Sequence, residues 1–117
     1  MALTSFDFQQ ARVKQVLFKS RLRSVLYGVR EAEPALFSYA DNALGQWIRF
    51  SLRPELGHLP AVAELERTVQ QMLRTGQALA TRYQRGQIEE ARTGLEQINT
   101  YAAQIESQLT KLEAGTS

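Results

Sequence analysis

Apolar residues recur along this chain in steps of three and four, and no stretch of useful length alternates as a strand requires. The first run is Phe8, Ala11, Gln15, Phe18, Leu22 and Val25. These positions share one face of a helix, and Gln15 is the single polar member of that face. Asp7 followed by Gln10 predicts an N-terminal capping box, and Gly28 predicts the stop. A second clear run is Val62, Leu65, Val69, Met72, Gly76, Leu79 and Tyr83, opened by Pro60 and broken at Gly86. Gly76 costs helix stability relative to Ala, up to about 1 kcal/mol, so its place in the seam predicts close approach by another helix or a bulky side chain. The last run, Ile88, Ala91, Leu95, Ile98, Ala102, Ile105, Leu109 and Leu112, predicts an unbroken helix from about Gln87 to Gly115.

The stretch between the first two runs reads REAEPALFSYADNALGQWIRFSLRPELGHLP. Pro34 predicts a short helical turn at Ala35-Leu36-Phe37. Asp41 is then the expected cap of a helix running to about Leu52, where Pro54 blocks continuation. Arg53–Leu59 reads as loop and holds the single histidine, His58, expected at the surface. Three long helices and one shorter one, helix 2, predict an all-α fold: a four-helix bundle, mostly antiparallel, with shallow crossings. One domain is expected over residues 1–117, frayed at 1–6 and 114–117.

Composition agrees with a globular chain, for 44% of the 117 residues are hydrophobic and 22% charged. No apolar run approaches the roughly 20 residues of a membrane span. The N-terminus lacks a basic segment followed by an apolar one, so no signal peptide and a cytoplasmic location are expected. The formal net charge of +2 is unevenly spread. Residues 1–30 carry Arg12, Lys14, Lys19, Arg21, Arg23 and Arg30 against Asp7, giving +5, and the remainder carries −3. A basic first helix can meet an acidic partner or nucleic acid. It can equally lie beside an acidic helix of its own fold, which is the expectation preferred here.

Candidate chemistry is sparse. With no Cys and one His, a thiolate nucleophile, a disulfide and an ordinary four-ligand zinc site are all excluded. A di-iron bundle needs inward-facing Glu and Glu-x-x-His on its seams, and the seams are almost free of carboxylates. Glu89-Glu90 falls on the first turn of the last helix, where it complements the helix dipole. The single glycines of RTGQ and QRGQ do not make a phosphate-cradling loop. No catalytic residues and no cofactor are expected. Phe8, Phe18 and Trp47 are expected in the core.

The stretch Asn42-Ala-Leu44-Gly45-Gln-Trp47-Ile resembles the Cys-x-Leu-Gly-x-Trp-Ile/Leu motif of the chemoreceptor zinc-binding (CZB) domain family. The resemblance extends along nearly the whole chain. Ala11, Gln15, Phe18, Lys19 and Leu22 occupy the places of that family's Ala-x-x-x-His-x-x-Trp-Lys-x-x-Leu helix. Leu59-Pro60 resembles its Leu-Pro segment, after which Val69 and Leu73 fall on the positions of a His-x-x-x-His pair. The family fold implied is a four-helix bundle of this size, and its zinc site uses three His and one Cys. Here those positions hold Gln15, Asn42, Val69 and Leu73, so the resemblance implies a degenerate member with no metal site. The scaffold residues Ala11, Phe18, Leu44, Gly45, Trp47 and Pro60 remain, with Gly45 permitting close approach. Gln15 and Asn42 are expected to hydrogen-bond to each other.

The resemblance implies a non-catalytic bacterial signalling or regulatory domain, since CZB domains serve chemoreceptors, diguanylate cyclases and related proteins. It would act through a signalling protein partner and as a homodimer. Val16, Leu17 and Phe50 lie outside the seams and need cover. Two alternatives stand beside it: a small-molecule sensor using the former metal pocket, and a nucleic-acid binder using the basic first helix.

Overall fold

The computed structural model describes residues 3–116, and every described element is helical. Helix α1 spans Ser5–Leu26. It starts earlier than the Asp7–Gln10 reading predicts, because Thr4 adopts an extended backbone and caps it. The Thr4 hydroxyl accepts from the Asp7 amide at 3.3 Å, and the Asp7 carboxylate accepts from the Thr4 amide at 2.8 Å. Asp7 is thus the far member of the box rather than its cap. Ser5 and Phe6 are helical rather than frayed, and Met1 and Ala2 lie outside the described residues. The C-terminus is where the spacing predicts it. Gly28 takes φ +74°, and the amides of Gly28 and Val29 reach back to the carbonyls of Val25 and Ser24 at 3.1 and 2.8 Å. This Schellman closure requires a left-handed residue, which glycine adopts without penalty.

The intermediate stretch contains three short helices, α2 (Pro34–Phe37), α3 (Ala43–Trp47) and α4 (Arg53–Leu56), with a π-helical turn at Ile48–Leu52 joining the last two. Two expectations fail here. Asn42, not Asp41, caps α3, its side-chain oxygen accepting from the amides of Leu44 and Gly45. Helical backbone also runs past Pro54 to Leu56, where a loop was expected. The widened π turn immediately precedes Pro54. A regular turn there would set the pyrrolidine ring against the carbonyl four residues back.

Helix α5 spans Pro60–Gln84 and closes at Gly86, φ +84°, in the same manner as α1. The last predicted helix is divided into α6 (Ile88–Thr93) and α7 (Leu95–Thr116). At the division a side chain on Gly94 would run into Leu79, so the chain passes close to α5 here. The seam itself survives from Ala91 to Leu112, but Ile88 is exposed, and the helix continues through Ala114–Thr116 instead of ending at Gly115. Ser117 lies outside the described residues.

Helix α1 runs antiparallel to α6 and α7: Arg12 pairs with Glu106, Gln15 with Ala102, and the Leu26 carbonyl with Arg92. Helix α5 runs antiparallel to α7 by the same logic, through Thr68 with Gln108 and Leu79 with Gly94. The short helices pack against α1 and α5. Gly76 makes room there, because an added Cβ would lie 3.0 Å from Phe18, 3.3 Å from Leu22 and 3.4 Å from Phe37. Phe18 and Phe37 meet edge to face at 6.4 Å. No helix among the described residues is long and apolar enough to cross a membrane.

Candidate functional site

Gln15, Asn42, Val69 and Leu73 are all buried, but their side chains are committed to separate tasks. Gln15 donates its amide to the Ala102 carbonyl on α7 at 2.7 Å, and its Oε1 has no hydrogen-bond partner among the described residues. Asn42 donates to the Leu36 carbonyl at 2.8 Å while its oxygen caps α3. The expected Gln15–Asn42 hydrogen bond is therefore not formed. Each amide donates to a backbone carbonyl instead, one inside α7 for Gln15 and one in α2 for Asn42. Val69 and Leu73 belong to the apolar core together with Ala11, Phe18, Leu44 and Trp47. This donor set does not fit zinc: Val69 and Leu73 carry no donor atom, and Gln15 and Asn42 offer only neutral amide oxygens, that of Asn42 already capping α3, in place of the His, Cys or carboxylate groups that zinc takes.

The scaffold residues behave as packing groups. Trp47 meets Phe8 edge to face at 5.7 Å, joining α3 to the start of α1. Gly45 is required by close approach, as expected, but the neighbour is the backbone carbonyl of Tyr39, on which a Cβ would impinge. Leu44 is fully buried, and Pro60 sits in the first turn of α5.

A polar clamp that sequence reasoning missed holds the same segment. The Tyr39 hydroxyl donates to Glu66 at 2.9 Å, and Arg53 donates to the same oxygen at 2.7 Å. Burial, then the Glu66 hydrogen bond, pushes the Tyr39 phenol above its ordinary value, so it remains a donor. The clamp ties the α2–α3 connection, α4 and α5 together. Its members are 13 and 27 residues apart, so no local spacing announces it. Arg12 is paired in the way the basic first helix predicts, with Glu106 and Glu113 of α7, each at 2.8 Å. The Glu106 hydrogen bond leads in raising the Arg12 pKa.

A cavity of about 210 Å³ lies between α1 and residues 30–46. Leu17, Phe18, Val25 and Leu36 supply apolar lining, with Lys14, Arg21 and Arg30 and the carboxylates Glu31, Glu33 and Asp41 around them. Asn42 borders it, whereas Gln15, Val69 and Leu73 do not. The cavity is thus not built by the four positions that the resemblance sets against zinc ligands. The uneven charge of the first thirty residues was the one signal in the sequence for it, and that signal did not reveal the acidic wall opposite.

The chain has one Glu-x-x-His spacing, Glu55 to His58, which lies outside the seams. It sits at the end of α4 with His58 exposed. No group of three or more His, Cys, Asp or Glu side chains placed to hold a metal ion occurs among the described residues. The chain matches no family model, no curated protein and no solved structure.

Proposed function

We propose that this chain is a non-catalytic regulatory domain, related to the CZB domains of bacterial signalling proteins, that works through protein contacts instead of zinc. In this reading α1, α5, α6–α7 and the short helices form a four-helix bundle, cytoplasmic and homodimeric. The observation that carries it is apolar side chains left in water. Val16 is 62% exposed and Phe50 68%, and Phe6, Val13 and Leu17 are exposed as well. An uncovered apolar face on so small a domain marks an interaction surface. The small-molecule alternative has less support, because core side chains fill two of the four former ligand positions. Against the nucleic-acid alternative, Arg12 is already tied to α7.

Size-exclusion chromatography with light scattering tests the reading. A dimer is expected, and a monomer at high micromolar concentration overturns the homodimer. Descent from a zinc site is tested separately by Gln15→His, Asn42→Cys, Val69→His and Leu73→His made together. The variant should be less stable without metal, since two core residues become polar. Zinc should restore its melting temperature by mass action. A folded variant with neither bound zinc nor a zinc-dependent rise overturns the CZB relationship.

A further inference from the structure

The cavity beside α1 has an apolar floor between walls of opposite charge. Lys14 and Arg21 stand on α1, while Glu31, Glu33 and Asp41 stand with Arg30 on the segment that faces it, which is acidic on balance. None of the side chains of Lys14, Arg21, Glu31, Glu33 and Asp41 makes an ion pair or a hydrogen bond within the chain among the described residues. Leu17 at the cavity and Val13 one turn earlier are each 45% exposed, which extends the apolar floor onto the outer surface of α1.

We propose that a second copy of this chain covers this face, in a two-fold dimer whose axis runs along the groove. The inference rests on the protein-contact reading above and places its interface. A rotation about that axis sets the Lys14–Arg21 wall of each protomer over the Glu31, Glu33 and Asp41 wall of its partner. Contacts of this kind are self-complementary, as an isologous interface demands. An acidic helix or a nucleic acid would meet three carboxylates, and a basic partner would meet the cations of α1. A second copy supplies both signs in the matching order by symmetry alone. The size of the cavity points the same way. Its volume of about 210 Å³ falls below the roughly 300–1,000 Å³ of small-molecule sites, while the exposed Leu17 beside it suits apolar contact with a protein.

The test is a charge exchange in the full chain, read by light scattering and by analytical ultracentrifugation. Lys14→Glu/Arg21→Glu makes both walls acidic, and Glu33→Lys/Asp41→Lys makes both basic. Each variant alone should dissociate at least about tenfold more readily than the parent. An equimolar mixture should regain the dimer mass, since the two altered faces are again complementary. Leu17→Asp should yield a monomer that neither charge variant rescues. Far-ultraviolet dichroism melts confirm folding, and the substituted side chains are outside the core. A parental monomer overturns both this interface and the homodimer reading. A parental dimer that all the variants leave intact overturns this interface while the homodimer stands. Variants that dissociate but fail to recombine overturn the two-fold pairing of the walls.

Discussion

The long helices and the segment between α1 and α5 are held by different means. In α1, α5 and α7 nearly all buried residues are apolar and follow one period, so each helix is specified by its own stripe. The intermediate segment has four helical pieces of five residues or fewer. Pieces that short have no independent stability. They are fixed by particular atoms: the Asn42 cap, the Gly45–Tyr39 approach and the Tyr39–Glu66–Arg53 clamp. Periodic stripes tolerate exchange of one apolar residue for another, whereas a cap or clamp fails with the loss of a single atom. The segment with the more exacting contacts also forms the wall of the cavity.

Five stability measurements would sharpen or break this contrast, each by urea denaturation with the midpoint and slope recorded. Leu65→Ala, in the first half of the α5 stripe and fully buried, should cost most, about 2–5 kcal/mol. Gly45→Ala should follow at about 1–3 kcal/mol, because the obstacle is a backbone carbonyl that cannot rotate away. An unchanged midpoint would show that α3 is loosely seated and that the contrast is wrong. Asn42→Ala should cost about 1–2 kcal/mol, with Asn42→Ser recovering part by retaining the cap.

Tyr39→Phe should cost about 1 kcal/mol near neutral pH. Its folded pKa is raised, so the wild-type contribution is present below the ordinary tyrosine value of about 10 and declines as pH rises beyond it. The difference between wild type and Tyr39→Phe should therefore narrow in strong alkali. The smallest effect is expected from the long-helix side. Gln15→Leu removes one hydrogen bond but also an unpartnered buried oxygen, and should change stability by less than about 1 kcal/mol. A loss well beyond that would mean that Gln15 organises the core rather than merely occupying it.

Legibility follows the same division. Phe8, Ala11, Gln15, Phe18, Leu22 and Val25 are all buried as their spacing predicts, and Gly28, Gly76 and Gly86 do what their positions imply. Val16, Leu17 and Phe50 lie exposed, as their places outside the seams require. Misreadings concentrate at ends and joints. Thr4 outcompetes Asp7 as a cap, Asn42 outcompetes Asp41, and a π turn carries the helix across Pro54. Residues a few places apart with side chains of similar capping ability compete, and only the path of the chain selects one. Of the candidate site, the burial of Gln15, Asn42, Val69 and Leu73 was legible, but their hydrogen-bond partners were not.

The sequence by itself determined the helical class, the three long stripes and the glycine stops at Gly28 and Gly86, because these depend on periodicity and on local backbone preference within a few residues. Only the tertiary structure decided that Gln15 turns to Ala102, that Glu66 gathers Tyr39 and Arg53, and that a cationic helix wall faces three carboxylates across a cavity. Those contacts join residues far apart along the chain. Their partners are chosen by how whole helices pack, where many pairings are chemically equivalent and geometry admits one.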